Sequence, residues 1–136
     1  MRKPGWIEDP RQAPRGQPAA RGRAAEDQAL RLLQEAGLKL VERNYRVARG
    51  PSRRGGEIDL ILADPDGTLV FVEVRSRADG QAGGAAASVG PAKRARLVYA
   101  AGCFLARLPR VPPCRFDVVA IDGDRLNWLQ AAFEAG

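Results

Sequence analysis

Three carboxylates lie inside apolar segments of this 136-residue sequence: Glu26, Asp59 and Glu73. A carboxylate in apolar surroundings is destabilising unless it pairs with a cation or binds a metal ion. The sequence contains no histidine, which excludes Ser-His-Asp and Cys-His catalysis as well as histidine metal sites. Any catalytic chemistry must therefore use carboxylates, lysine and arginine, together with an oxygen-ligated cation such as Mg²⁺.

The first carboxylate, Glu26, lies on the apolar face of a helix that we predict from Gly22 to about Leu38. It precedes Leu30 by four residues and Leu33 by seven, a spacing that puts the three side chains on one face. A carboxylate in the first turn also compensates the helix dipole. That role requires no particular face, so the placement favours a functional role for Glu26.

Asp59 lies in a predicted strand, residues 57–63, whose nearly continuous apolar run indicates that both faces are buried. Alternation along this strand predicts that Ile58 and Leu60 share one face and that Asp59 lies on the opposite face. Glu73 is likewise a charge within the apolar run of the next predicted strand. Both carboxylates are therefore candidates for a buried site.

The turn between these strands decides whether the two carboxylates meet. A three-residue loop over residues 65–67 pairs residues whose numbers sum to 132. The loop begins with proline, which suits the first position of a type I turn, and ends with glycine, which suits the left-handed closing position. This register predicts that Asp59 lies opposite Glu73 and that Glu57 lies opposite Arg75.

Directly opposed residues in an antiparallel pair have Cβ atoms about 5 Å apart. Two carboxylates at that distance in a partly dry site repel each other, and a divalent cation relieves the repulsion. Glu26 on the packing helix is a candidate for a third oxygen donor. Alternatively, Arg75 neutralises Glu57 or Glu73 in a purely structural ion pair.

The order of the predicted elements indicates an α/β fold. They are a helix, three strands at about residues 39–47, 57–63 and 69–75, a helix from Pro91 to about Leu108, and a strand at 115–121. Short connections make the first three strands antiparallel, and the helical crossover makes the fourth strand parallel to the third. Residues 125–135 fit either a short strand or a final helical turn.

The amino-terminal segment differs in composition from the rest of the chain. Residues 1–20 contain four prolines among Arg, Gly and Gln, a composition that predicts a disordered tail. Residues 21–136 are long enough for one domain. The net charge is +6, of which residues 1–23 carry +4 and the remaining residues +2. The basic excess therefore lies largely on the tail and is weak evidence for a nucleic-acid partner.

Two local basic clusters remain as candidate nucleic-acid contacts. Lys93, Arg94 and Arg96 lie in the first turns of the second predicted helix, where the dipole disfavours cations and free N–H groups favour phosphate. Arg53 and Arg54 lie in the glycine-rich loop before the strand that carries Asp59. The alternative for these side chains is an ordinary solvated surface.

The sequence predicts a cytoplasmic protein with no membrane association. It has no apolar run of the length that spans a bilayer and no apolar core of a signal peptide. Its two cysteines are too few for a disulfide framework or a four-ligand zinc site.

Several motifs together resemble a known family. Gly56-Glu-Ile-Asp-Leu60 followed by Phe71-Val-Glu-Val-Arg75 resembles the PD-(D/E)XK nuclease signature. The wider pattern over about residues 21–133 is similar to the YraN family of small bacterial proteins, related in fold to Holliday junction resolvases. That pattern also includes Gly22-Arg-Ala-Ala-Glu26, Arg43-Asn-Tyr45, Lys93 with Arg96-Leu97, and Arg115-Phe-Asp-Val-Val119.

This resemblance implies a restriction-endonuclease-like αβββαβ core with a mixed sheet flanked by helices. It implies that Asp59, Glu73 and the carbonyl of Val74 bind Mg²⁺ or Mn²⁺, and that Glu26 acts through a water. The lysine of the family signature falls at Arg75, a residue that stays protonated and can orient and stabilise charge. The implied activity is endonucleolytic cleavage of DNA by metal-activated water. Branched DNA as substrate and a homodimer are implied by the resolvase resemblance alone.

Two other functions fit the same residues. One is a nucleic-acid-binding module that keeps the fold while Arg75 in place of lysine has ended catalysis. The other is a protein-interaction adaptor in which the acidic residues belong to a structural ion-pair network.

Overall fold

The computed structural model describes residues 17–48, 55–77 and 89–134. Its elements are α1 (Gln17–Glu35), β1 (Lys39–Val47), β2 (Gly56–Ala63), β3 (Leu69–Arg77), α2 (Pro91–Leu105), β4 (Cys114–Asp122) and β5 (Arg125–Phe133). Arg53, Arg54 and most of the predicted tail lie outside the described residues. The segment that fitted either a strand or a helical turn forms β5.

The five strands form one mixed sheet in the order β1-β2-β3-β4-β5. The pairs β1–β2, β2–β3 and β4–β5 are antiparallel, and β3–β4 is parallel. The helix α2 is the crossover that parallel pairing requires between β3 and β4. This architecture confirms the predicted α/β fold and is consistent with a restriction-endonuclease-like core.

Helix α1 begins at Gln17, before the predicted start at Gly22. Pro18 is tolerated there because the N–H groups of a first helical turn have no intrahelical partner. The helix ends at Glu35, near the predicted end at about Leu38, and is followed by Gly37, whose φ of 104° is left-handed. The N–H groups of Gly37 and Leu38 donate to carbonyls of the last turn at 3.0 Å, which satisfies two carbonyls that would otherwise be orphaned.

Each face of the sheet has its own core. The α2-side core includes Ile58, Ile61, Phe71, Leu97, Phe104 and Phe116. The α1-side core includes Ala29, Leu33, Leu60, Leu62, Val72 and Val119. Because helices cover both faces, β2 and β3 are apolar along nearly their whole length.

The predicted register of the hairpin is confirmed. The ladder between β2 and β3 runs from Ala63 paired with Leu69 to Leu60 paired with Val72, so paired numbers sum to 132. The turn is closed by the N–H of Gly67, which donates to the carbonyl of Asp64 at 2.9 Å and has a φ of 95°. The ladder ends just before the predicted pair of Asp59 and Glu73, and so also before that of Glu57 and Arg75.

The predicted alternation along β2 is wrong at Asp59. Ile58 packs in the α2-side core and Leu60 in the α1-side core, although residues two apart on a regular strand share a face. The cause is a local irregularity, since Asn44 and Asp59 are missing from the pairing of β1 and β2. The register is the same on both sides of this gap, and a separate register shift lies between Leu40 and Glu42. Asn44 has a φ of 55°.

Candidate active site

A cleft of about 300 Å³ opens where the β2–β3 ladder ends. It is lined by Gly22, Ala25 and Glu26 of α1, by Asp59 of β2, by Glu73, Val74, Arg75 and Ser76 of β3, and by Lys93 of α2. The structure therefore gathers in one cleft the residues predicted to bind a metal ion, Glu26, Asp59, Glu73 and Val74, and the predicted catalytic residue Arg75.

Asp59 takes the place of a main-chain acceptor at the end of the ladder. Its Oδ2 accepts a hydrogen bond from the N–H of Val74 at 2.8 Å. Because a strand N–H lies in the plane of the sheet, the carboxylate is held between β2 and β3. The N–H and carbonyl of one strand residue point to the same side, so the carbonyl of Val74 also faces β2.

The charge balance around Asp59 is unfavourable to its ionised form. Burial raises the pKa of Asp59 to about 8, and the nearby charges of Glu73, Glu26 and Glu57 also raise it. The hydrogen bond from Val74 acts in the opposite direction. Asp59 is therefore largely protonated at neutral pH until a cation offsets the neighbouring carboxylates.

Glu73 is 4% exposed and is compensated by two cations. Its Oε2 lies 3.3 Å from Nη1 of Arg75 and 3.3 Å from Nζ of Lys93. The sequence pattern predicted Lys93 on a nucleic-acid surface and did not predict its place beside Glu73. A crossover helix starts near the carboxyl end of the strand before it, so the predicted topology was the signal that could have located Lys93.

Glu26 is held at the other side of the cleft by β1. Its Oε1 lies 3.4 Å from Nε of Arg43, whose Nη2 is 2.6 Å from Oδ1 of Asp27. In the described part of the chain, no group of three or more acidic or cysteine side chains is close enough to hold a metal ion. Asp59, Glu73 and Val74 line the same cleft, where they offer carboxylate and main-chain oxygen atoms.

A second, smaller cleft of about 190 Å³ adjoins the first and is lined by Gly55, Gly56, Glu57, Lys93, Arg96 and Leu97. The strand and the helix are in close contact here. A Cβ atom on Gly56 would lie 2.5 Å from the carbonyl oxygen of Arg96, so glycine is required for α2 to pack at this distance. Lys93 lines both clefts and Arg96 lines the second.

Arg94 lies elsewhere. Its Nε donates to the carbonyl of Val89 at 2.9 Å, and its guanidinium lies 5.4 Å from the ring centroid of Phe133. Of the residues predicted to contact nucleic acid, the structure thus places Lys93 and Arg96 in the clefts and Arg94 against β5. Arg53 and Arg54 lie outside the described residues.

Neither helix in the described ranges is both long enough and apolar enough to cross a membrane.

Comparison with known proteins identifies the family. A family model described as the uncharacterised protein family UPF0102 matches residues 25–121. A UPF0102 protein of Paracidovorax citrulli is 64% identical over 117 residues, covering 86% of this chain and 84% of that protein. One from Methylibium petroleiphilum is 63% identical, covering 84% and 93%. One from Herminiimonas arsenicoxydans is 52% identical, covering 99% and 100%. The chain therefore belongs to the uncharacterised protein family UPF0102, the YraN family that its motifs resemble.

Proposed function

We propose that this protein is an endonuclease that hydrolyses DNA phosphodiester bonds with Mg²⁺ or Mn²⁺ held by Asp59 and Glu73. The observation that carries the proposal is that both carboxylates line one cleft where the ladder ends, with burial raising the pKa of Asp59 to about 8. An uncompensated carboxylate in such a place destabilises the fold, which is typical of functional sites.

The donor set fits a hard divalent cation. Asp59, Glu73 and the carbonyl of Val74 offer oxygen atoms, the ligands that Mg²⁺ and Mn²⁺ prefer. A cation bound there would supply Lewis-acid chemistry, lowering the pKa of a water and neutralising charge on the phosphate. Glu26 is held by Arg43 at the α1 side and acts through a water rather than as a direct ligand.

The two basic residues beside Glu73 have different chemical capacities. The Arg75 guanidinium stays protonated and can stabilise charge on phosphoryl oxygens, whereas a lysine amine can also exchange a proton. We assign to Lys93, whose Nζ lies 3.3 Å from Glu73 Oε2, the role that the family signature gives to a lysine at position 75. Arg75 then has a supporting, electrostatic role.

The substrate assignment rests on charge and on resemblance. Lys93 and Arg96 line adjoining clefts, and cations in such a position bind the phosphates of a nucleic-acid backbone. The resemblance to Holliday junction resolvases favours branched DNA, and with it a homodimer.

The direct test is cleavage of a four-way DNA junction by the purified protein in Mn²⁺ or Mg²⁺. We expect cleavage that stops on chelation and falls about 100-fold or more in Glu73→Gln and Lys93→Gln. The matched control is Arg31→Gln, which removes a cation from the exposed face of α1 and should cleave as the wild type does. Cleavage that persists unchanged in Glu73→Gln would show a contaminating nuclease and refute the assignment.

A second candidate is a nucleic-acid-binding module without catalysis. The observation that favours it is that Arg75 and Lys93 both pair with Glu73, as they would in a structural ion-pair network. This candidate predicts that the junction is bound but never cut, and that Mn²⁺ titration gives no signal sensitive to Asp59→Asn.

A further inference from the structure

Strand β1 turns over at Asn44, which means that its side chains exchange the two faces of the sheet at this residue. Arg43 contacts Glu26 and Asp27 on α1, whereas the ring of Tyr45 packs edge-on against Phe104 of α2, with centroids 5.3 Å apart. Two residues apart on a regular strand share a face. Arg43 and Tyr45 lie on opposite faces, so the intervening residue changes the direction of the strand.

Strand β2 turns over directly opposite. Arg43 pairs with Leu60 and Tyr45 with Ile58, and the pair between them, Asn44 with Asp59, is missing. Leu60 and Ile58 lie in the two different cores. The two strands therefore change faces together, and the register on either side is unchanged.

The conformation of Asn44 accounts for this coupled change. Its φ of 55° lies in the left-handed region, which asparagine tolerates and β-branched residues rarely adopt. Asn44 is exposed, so core packing does not explain which residue stands here. Its backbone conformation does.

This change of face determines where the Asp59 carboxylate lies. On a regular β2 strand the side chain of Asp59 would share the face of Ile61, which lies in the α2-side core. Because the strand turns over, the carboxylate lies between the strands and reaches the N–H of Val74. The same turn directs Arg43 to α1, where it holds Glu26.

We propose that Asn44 is a positioning residue of the carboxylate site, because its left-handed backbone directs Asp59 toward β3 and Arg43 toward Glu26. The metal-binding consequence rests on the proposed function. The geometric consequence, the hydrogen bond from Val74 to Asp59, does not.

The test compares Asn44→Val, which disfavours the left-handed conformation, with Asn44→Gly, which accepts it. Arg46→Val is the matched control, since it places the same side chain at another exposed position of β1. One readout is the NMR coupling across the hydrogen bond between the Val74 amide nitrogen and the Asp59 carboxylate carbon. The other is the dissociation constant of Mn²⁺, measured well below the unfolding temperature.

We expect Asn44→Val to lose the coupling and to weaken Mn²⁺ binding about tenfold or more, with Asn44→Gly and Arg46→Val unchanged in both. A lower unfolding temperature alone moves neither readout. If Asn44→Val does not fold, Asn44→Ala decides by the same two measurements.

The inference is overturned if a folded Asn44→Val keeps the coupling and the Mn²⁺ affinity, or if Arg46→Val loses them equally. If Asn44→Val loses the coupling but the wild type itself does not bind Mn²⁺, the positioning role stands and the proposed metal-dependent function fails.

Discussion

Two carboxylates of the sheet, Asp117 and Asp59, differ in how they are compensated. Asp117 on β4 is fully buried and accepts hydrogen bonds from Nε of Arg115 at 3.0 Å, Nε1 of Trp128 at 2.8 Å and the N–H of Ala131 at 2.9 Å. Among the described residues, Asp59 accepts one hydrogen bond, from Val74, and it faces other acids. Asp117 is fully buried and Asp59 is partly buried, and the two acids differ most in the number of hydrogen bonds that they accept.

The hydrogen bonds that Asp117 accepts indicate a structural role for this acid. Arg115 also reaches Asp64 at 3.3 Å, so the Asp117 network ties the β2–β3 turn to β4. A buried ion pair whose carboxylate accepts several hydrogen bonds stabilises one packing arrangement. Among the described residues of the cleft, Asp59 instead accepts one hydrogen bond and lies near other acids. We expect four measurements to test this contrast.

The largest expected effect is on stability. Asp117→Ala leaves the Arg115 guanidinium and the Trp128 N–H without their shared acceptor, and we expect it to lower the free energy of unfolding by about 3–5 kcal/mol. Urea titration at neutral pH measures this. Glu35→Ala, at the exposed end of α1, should change stability by less than about 0.5 kcal/mol. A loss below about 1 kcal/mol for Asp117→Ala would remove the contrast.

The second prediction is that removing the charge of Asp59 stabilises the protein, whereas removing the carboxylate of Asp117 destabilises it. Because the pKa of Asp59 is raised to about 8, the folded protein keeps a proton that the unfolded chain loses above about pH 4. The free energy of unfolding therefore falls as pH rises from about 4 to about 8, and this part of the loss is absent in Asp59→Asn. The full shift in pKa corresponds to about 5 kcal/mol at pH 8, and the partial exposure of Asp59 to solvent reduces this difference. We expect the variant to be about 2 kcal/mol more stable than the wild type at pH 8 and equal to it at pH 4. A variant less stable than the wild type at pH 8 would contradict this.

The third prediction concerns metal binding. A cation at Asp59 must displace the proton, so we expect Mn²⁺ affinity to rise about tenfold per pH unit up to about pH 8 and then level off. Calorimetric titration in buffers of different ionisation enthalpy counts the released proton. Asp117→Asn should keep the same pH profile if it folds. An affinity independent of pH would mean that Mn²⁺ does not bind Asp59.

The smallest expected effect is the change in the pKa of Asp59 when Glu26 or Glu57 loses its charge. The charges of Glu26 and Glu57 both raise the pKa of Asp59, and that of Glu57 is the weaker of the two. We expect Glu26→Gln to lower this pKa by more than Glu57→Gln, whose side chain is 43% exposed and screened by solvent. Carbon NMR titration of the Asp59 carboxyl measures both. Glu42→Gln on β1 should leave it unchanged.

Much of the architecture follows from local pattern. Apolar runs of strand length, a helix opened by Pro91 and short connections were sufficient to predict the order and direction of the first four strands. The turn at residues 65–67 determined the β2–β3 register because proline and glycine have strong backbone preferences. The helix start was misplaced because Pro18 fits a first turn as readily as a tail.

The site was predicted only in part, because its geometry depends on contacts distant in sequence. Lys93, Arg94 and Arg96 are neighbours on one helix, about 100° apart per residue. Which of them reaches Glu73 is set by the packing of α2 against Gly56. The position of the Asp59 carboxylate between β2 and β3 depends on Asn44, which lies opposite it on β1. Strand alternation does not predict this position.

The sequence by itself determined the chemistry available to this protein: no histidine, and carboxylates placed in segments that must be buried. It also determined the fold class, because periodicity and turn preferences are local properties. Only the tertiary structure decided which acid is satisfied and which is not. Asp117 is compensated by partners from three points along the chain, whereas Asp59 is held between two strands among like charges. Electrostatic balance depends on distances in space, and the fold alone sets those distances.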